Sequence, residues 1–217
     1  EPDGLTLIGD GQQSIYPGGY TLAEAGLSVA GRGVVLDINY RNTAQIVDFA
    51  QRLVAGDEYA DIEGVLARGD VPSSVPRAGA DPVISRCVGR RELNETMVRH
   101  VHSVIRDVGT GIGDVAVLCI TRRASMDATA ALLAAGFAGV NHEEYSGVPI
   151  DAIKVGTIKR AKGLEFKQVL IPDIRREHTI TQPPTDDTDR ERWDLTRREL
   201  YVAMTRARDG LWVGISN

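Results

Sequence analysis

The stretch RRELYVAMTRARDGLW, residues 197–212, reads as the end of a helix running almost directly into a strand. Leu200, Val202, Ala203 and Met204 form an apolar stripe, and Leu211–Ile215 then follows as a short β-type run. A helix feeding an apolar strand is the repeating unit of an α/β sheet. The same stretch poses a chemical question. Arg197, Arg198, Arg206 and Arg208 surround the stripe, so either they are ordinary solvated charges or one of them is aimed at a phosphate.

The unit recurs upstream. Strand-like runs are expected at Leu5–Ile8, Val34–Ile38, Val83–Val88, Val115–Ile120, Ile153–Thr157, Gln168–Pro172 and Leu211–Ile215. Helices are expected at Thr43–Val54, Arg91–Val108, Ser125–Ala135 and roughly Asp194–Ala207. Leu93, Met97, Val98, Val101, Val104 and Ile105 repeat at helical spacing. Strands that are apolar throughout, separated by amphipathic helices, argue for a parallel sheet covered on both faces, a doubly wound α/β fold. Two polar segments interrupt the pattern. Residues 56–82 read as a long surface connection, and residues 176–192, REHTITQPPTDDTDRER, as a mobile loop.

Composition narrows the function classes. A chain of 217 residues with a net charge of −5 is not a dedicated basic nucleic-acid domain, so any such contact must be local. Cys87 and Cys119 each lie in an apolar run, which suits buried thiols in a reducing compartment, with the cytoplasm as the expected location. No Cys/His pair has metal-ligand spacing, and no apolar run is long enough to span a bilayer. The opening EPDGLTLIGDGQQ lacks an initiator Met and already reads as a strand, which suggests part of a longer protein.

Four motifs carry chemistry. GDGQQSIY (9–16) follows the first strand, where α/β proteins place ligand groups, and Gln13 suits a water or a phosphate. NYRNT (39–43) puts Arg41 at a strand–helix junction on the same rim, with Asn42 or Thr43 as the helix cap. VGTIKRAKGLEF (155–166) ends a strand in Thr157, then brings Lys159, Arg160 and Lys162, then Gly163 and the single acid Glu165. Hydroxyl and ammonium groups there suit a sugar–phosphate backbone, with a plain solvated turn as the lesser alternative. RRELYVAMTRA (197–207) contributes Arg206.

In this order the motifs resemble those of the UvrD/Rep-type superfamily 1 DNA helicases. IGDGQQSIY looks like that family's third motif, NYRNT the fourth, TIKRAKGLEF the fifth and RRELYVAMTRA the sixth, with DVAVLCITRR matching the segment after the fourth. The resemblance implies a RecA-like parallel sheet of the P-loop NTPase fold. Residues 1–30 would be the tail of a first RecA-like domain and residues 31–217 the second motor domain. No G-x-x-x-x-G-K-[ST] loop is present, so ATP and Mg2+ would be bound mainly by an upstream RecA-like domain of the same parent chain.

By the same resemblance, Gln13, Arg41 and Arg206 would face the γ-phosphate, with Glu165 and Gly163 beside the nucleotide sugar. Tyr16, Thr157, Lys159 and Arg160 would meet single-stranded DNA, with RNA left open as the track. The implied activity is ATP-dependent DNA translocation, 3′ to 5′. A non-catalytic helicase-like interaction module is the alternative. Three features depart from the family. Gly18 stands where a base-stacking Trp is usual, Lys159 replaces a His, and only about Gly136 to Ile153 stands where many members insert an accessory domain.

Overall fold

Six parallel strands organise the chain, as seen in a computed structural model that describes residues 38–54, 58–60, 66–68, 74–107, 109–137, 139–141, 150–175, 178 and 183–216. In chain order the elements are α1 (Ala44–Val54), β1 (Glu58–Ala60), β2 (Leu66–Arg68), β3 (Val83–Cys87), α2 (Arg90–Asp107), β4 (Val115–Cys119), α3 (Arg122–Ala134), β5 (Gly139–Asn141), β6 (Ile153–Thr157), β7 (Phe166–Arg175), α4 (Asp187–Met204) and β8 (Ala207–Ser216). The large sheet has the order β3-β8-β7-β4-β6-β5, every pairing parallel. The doubly wound α/β reading therefore holds.

Side chains alternate across the sheet as the pleat demands. In β4, Ala116 and Leu118 join one core with Ile46, Ala50, Leu200, Tyr201 and Met204 of α1 and α4. Val115, Val117 and Cys119 join the other with Leu93, Met97 and Val101 of α2 and Ala128 and Leu132 of α3. The result is helix, sheet and helix in three layers. Trp212, at 1 % exposure, fills the second core, and its indole N–H donates to Ser85 Oγ at 3.0 Å. Gly214 is required beside it, because a Cβ there would meet Leu93 Cδ1 and the Trp212 ring at 2.5 Å.

Several boundaries differ from expectation. The connection 56–82 contains the antiparallel pair β1–β2. The polar segment 176–192 is in part helix: Asp186 accepts from the Asp189 N–H at 3.1 Å and starts α4 at Asp187. A cap followed by acids in the first turn complements the helix dipole, so polarity here marks a helix start. α4 ends at Met204, and Arg206 lies in the turn that leads into β8. The strands expected at Leu5–Ile8 and Val34–Ile38 lie outside the described residues, except Ile38, which makes an isolated parallel bridge to Ser74.

The connection from β6 to β7 positions the site. Parallel strands are usually joined through a helix of a dozen or more residues. Here a 3-10 turn, Ile158–Ala161, and the short run 162–165 cross one sheet face instead. Ile158, Ala161 and Leu164 pack into the core beneath α4. The crossing starts at the carboxyl end of β6 and ends at the amino end of β7. α4 covers the same span, from the carboxyl end of β7 to the amino end of β8.

Candidate functional site

Residues from three of the sequence motifs converge at the amino edge of the sheet. Asn39 builds the first part: its Oδ1 accepts the backbone N–H groups of Arg41 and Asn42, each at 3.0 Å, which folds NYRNT into a tight turn. Asn42 is buried and does not cap α1. Its Nδ2 donates to Thr205 O at 3.0 Å and Ala207 O at 2.6 Å. Thr43 does not cap either, since its buried Oγ1 makes no hydrogen bond among the described residues. The amide of Ala44 donates to Arg77 O at 2.8 Å instead. The motif is thus anchored to the α4–β8 turn rather than to its own helix.

Arg77 completes the clamp. Its guanidinium donates to Arg41 O and, at 3.0 Å, to Arg208 O, and it pairs with Asp209 at 2.5 Å. Burial pushes the Asp209 carboxyl up, but hydrogen bonds from Arg77 and Arg208 outweigh it and hold the group below the usual carboxylate range.

On this scaffold Arg41 Nε meets Glu165 Oε1 at 2.6 Å, with both side chains about two-fifths exposed. An exposed pair of this kind contributes little stability, so its groups remain available to a ligand. Glu165 reaches the edge because Gly163 turns the chain at φ +86. A Cβ at Gly163 would meet nothing within 4 Å, so the requirement is conformational. Arg206 is only 2 % exposed. Its Nε donates to Val202 O at 3.1 Å, and its guanidinium reaches Leu164 O, next to Glu165, at 3.5 Å.

An open cleft of about 590 Å3 borders Glu165, lined also by Asp114, Asp151, Lys154, Lys167 and Arg208. Lys167 pairs with Asp114 at 2.6 Å. Burial pulls the Lys154 ammonium down, partly offset by Asp114 and Asp151, while its Nζ donates to Gly113 O and Ile150 O.

The rim therefore differs from the one expected. Arg41, Gly163, Glu165 and Arg206 gather beside the amino ends of β7 and β8, not at carboxyl ends. The residues expected to meet nucleic acid follow the carboxyl end of β6: Thr157 is half-buried, and Lys159 and Arg160 are exposed. Lys159 Nζ lies 3.2 Å from Glu199 Oε1. Gln13 and Tyr16 lie outside the described residues.

The arginines of residues 197–208 divide between surface and interior. Arg208 is exposed, but Arg197 and Glu199 are buried at 6 % and 5 %. The Arg197 guanidinium lies 4.0 Å from the centre of the Trp193 ring, a cation–π contact that shields it. The solvated face expected around Arg206 is thus largely an interior one. Sequence reasoning also passed over Arg77, Asp209 and the inward direction of Asn42. Asn42 and Thr205 are 163 positions apart, and Arg77 and Asp209 132 apart, so no short motif marks these pairings.

Residues 130–217 match the family model for the UvrD-like helicase C-terminal domain. This part of the chain is similar to the C-terminal domain of UvrD-like helicases. It runs from within α3 to the end of β8 and so contains Thr157, Lys159, Glu165 and Arg206, while Arg41 lies upstream. A solved structure, the C-terminal domain of a possible DNA helicase from Lactobacillus plantarum WCFS1, is similar at a TM-score of 0.57 and 18% identity, over 82% of this chain and 88% of that one. At that identity the likeness concerns the fold. The C-terminal part of the Fun30 ATPase domain aligns at a TM-score of 0.33 and 11% identity, over 60% of this chain and 44% of that one, and carries no weight. No curated protein matches the chain. The matched portion thus supplies one side of the site, and Arg41, Asn42 and Arg77 contact it from upstream.

Proposed function

We propose that this chain is the second motor domain of an ATP-dependent, 3′-to-5′ DNA translocase or helicase, with residues 1–30 as the tail of the first. In this reading Arg41 and Arg206 face the γ-phosphate of ATP bound on the other RecA-like domain, and Gln13 senses it from that side. Glu165, carried past Gly163, contacts the nucleotide sugar. Thr157, Lys159, Arg160 and Tyr16 hold single-stranded DNA.

The observation that carries the reading is the meeting of Arg41, Glu165 and Arg206, from three separate motifs, on one edge of one sheet. Two cations and one carboxylate suit phosphate and sugar oxygens. Mg2+, held mainly by the partner domain, would neutralise charge on the β- and γ-phosphates. Arg206 is buried and held by the carbonyls of Val202 and Leu164, so reaching a phosphate requires its guanidinium to leave the Leu164 carbonyl as the cleft closes. Arg41 starts from its pair with Glu165 and exchanges it for a phosphate. Arginines on a separate rigid body make closure depend on the γ-phosphate, and its loss reopens the cleft.

The deciding experiment is single-strand-stimulated ATP turnover by the full-length protein, with Arg206→Ala and Arg41→Ala as variants. The expected loss for Arg206→Ala is about 10³–10⁵-fold, with thermal melting run alongside to separate chemistry from folding. The exposed Arg41 offers the cleaner variant. Turnover indifferent to both arginines, or no turnover at all, would move the chain to the class of helicase-like interaction modules. This 217-residue chain alone is expected to show no hydrolysis.

A further inference from the structure

At the site, Lys159 and Glu199 pair an exposed cation with a buried acid. The Lys159 side chain is 48 % exposed, whereas that of Glu199 is 7 % exposed, and the two approach to 3.2 Å. The two ends are unequal in what separation costs. Lys159 released from the pair meets water or another anion. Glu199 left behind is a charge in a desolvated place, and removing one partner of such a pair is strongly unfavourable for the one that stays.

The pair also spans two segments that run side by side in the same direction. The crossing 158–165 starts with Lys159 and ends at Glu165. α4 carries Glu199 and hands over to Arg206 two residues beyond its last helical position. Arg206 Nε is tied back to Val202 O, one turn after Glu199, and its guanidinium reaches Leu164 O on the crossing. Polar contacts thus join the crossing and α4 both toward the carboxyl edge, by Lys159–Glu199, and at the amino edge, by Arg206–Leu164.

We infer that Glu199 is a positioning residue: it competes with a nucleic-acid phosphate for Lys159 and thereby couples strand binding to the placement of Arg206. This rests on the functional reading above. A phosphate that draws Lys159 away removes the counter-charge from Glu199. α4 then relieves the buried charge by shifting against the crossing, and Arg206 at its end moves with it. Linkage makes the effect reciprocal: a nucleotide that fixes Arg206 changes the affinity for the strand by the same factor.

The test measures the affinity of the full-length protein for a single-stranded oligonucleotide, with and without a non-hydrolysable ATP analogue. Wild type is expected to show a nucleotide-dependent change of about 5–150-fold, the usual range for coupled sites. In Glu199→Gln, Lys159 loses its competitor, so strand affinity without nucleotide should rise while the coupling factor falls toward one. Glu199→Asp, which keeps the charge, should restore coupling. A purely structural role predicts the opposite sign, weaker strand binding in Glu199→Gln. That result, or wild-type coupling in Glu199→Gln, overturns the inference. Should Glu199→Gln fail to fold, Lys159→Gln is expected to abolish coupling, with thermal melting run alongside because it strips the buried Glu199 of its counter-charge; coupling retained in a folded Lys159→Gln would also overturn the idea. A wild-type protein that binds no single strand defeats the functional reading itself, an outcome distinct from binding without coupling.

Discussion

Asn42 shows how much of the site depends on one uncharged side chain. At 1 % exposure it links the turn carrying Arg41 to the turn carrying Arg206 through two carbonyls, Thr205 O and Ala207 O. Asn42→Ala leaves both carbonyls without that partner in a place closed to water, a loss of about 1–3 kcal/mol. Urea unfolding of the variant should therefore show a lower midpoint with an unchanged m-value. A shift worth less than about 0.5 kcal/mol, the scale of ordinary surface substitutions, would mean that the clamp is dispensable. At this scale the sequence is informative about reactive groups and silent about what holds them. Arg41, Glu165 and Arg206 each stand in a short local motif. Asn42 and Thr205 are 163 positions apart, and Arg77 and Asp209 are 132 apart, so their pairing exists only once the sheet has formed.

Elements whose interior is apolar were readable from periodicity almost to the residue, as β4 and β6 show. Elements with polar ends were not. β8 begins with Ala207-Arg208-Asp209-Gly210, which contains two charges and a glycine, yet it pairs from Ala207 onward because β7 offers a partner from Phe166. α4 begins in a run of acids for the capping reason given above. A second prediction belongs to α2, which presents His100 to the sheet with its ring 6.1 Å from that of Trp212. Burial lowers the His100 pKa below 6.5. The unfolded chain therefore takes up a proton near pH 6.5 that the folded chain refuses, and stability falls as pH drops below that value. His100→Phe keeps a ring at the position and removes the titration. Comparing melting temperatures of the two proteins from pH 7.5 to 5 should show a steeper acid loss in the wild type, and parallel curves would mean that His100 titrates alike folded and unfolded.

At the scale of the whole molecule, the proposed function requires a chain of net charge −5 to follow a polyanion. Long-range attraction does not help it, so the cations of the β6–β7 crossing must act locally. Lys159, Arg160 and Lys162 are exposed there, ahead of Glu165 in the crossing. Three cations that each displace a counterion from a single strand predict a slope of log affinity against log salt of about −2. Lys159→Gln, Arg160→Gln and Lys162→Gln should each reduce that slope by about 0.7, whereas Lys167→Gln, whose ammonium pairs with Asp114 beside the amino-edge cleft, should leave it unchanged. A wild-type slope several times steeper, or one that responds to Lys167 rather than to the crossing, would place the track on another face. It would also separate the strand from the Lys159–Glu199 pair, because coupling through that pair requires the phosphate to arrive where Lys159 stands.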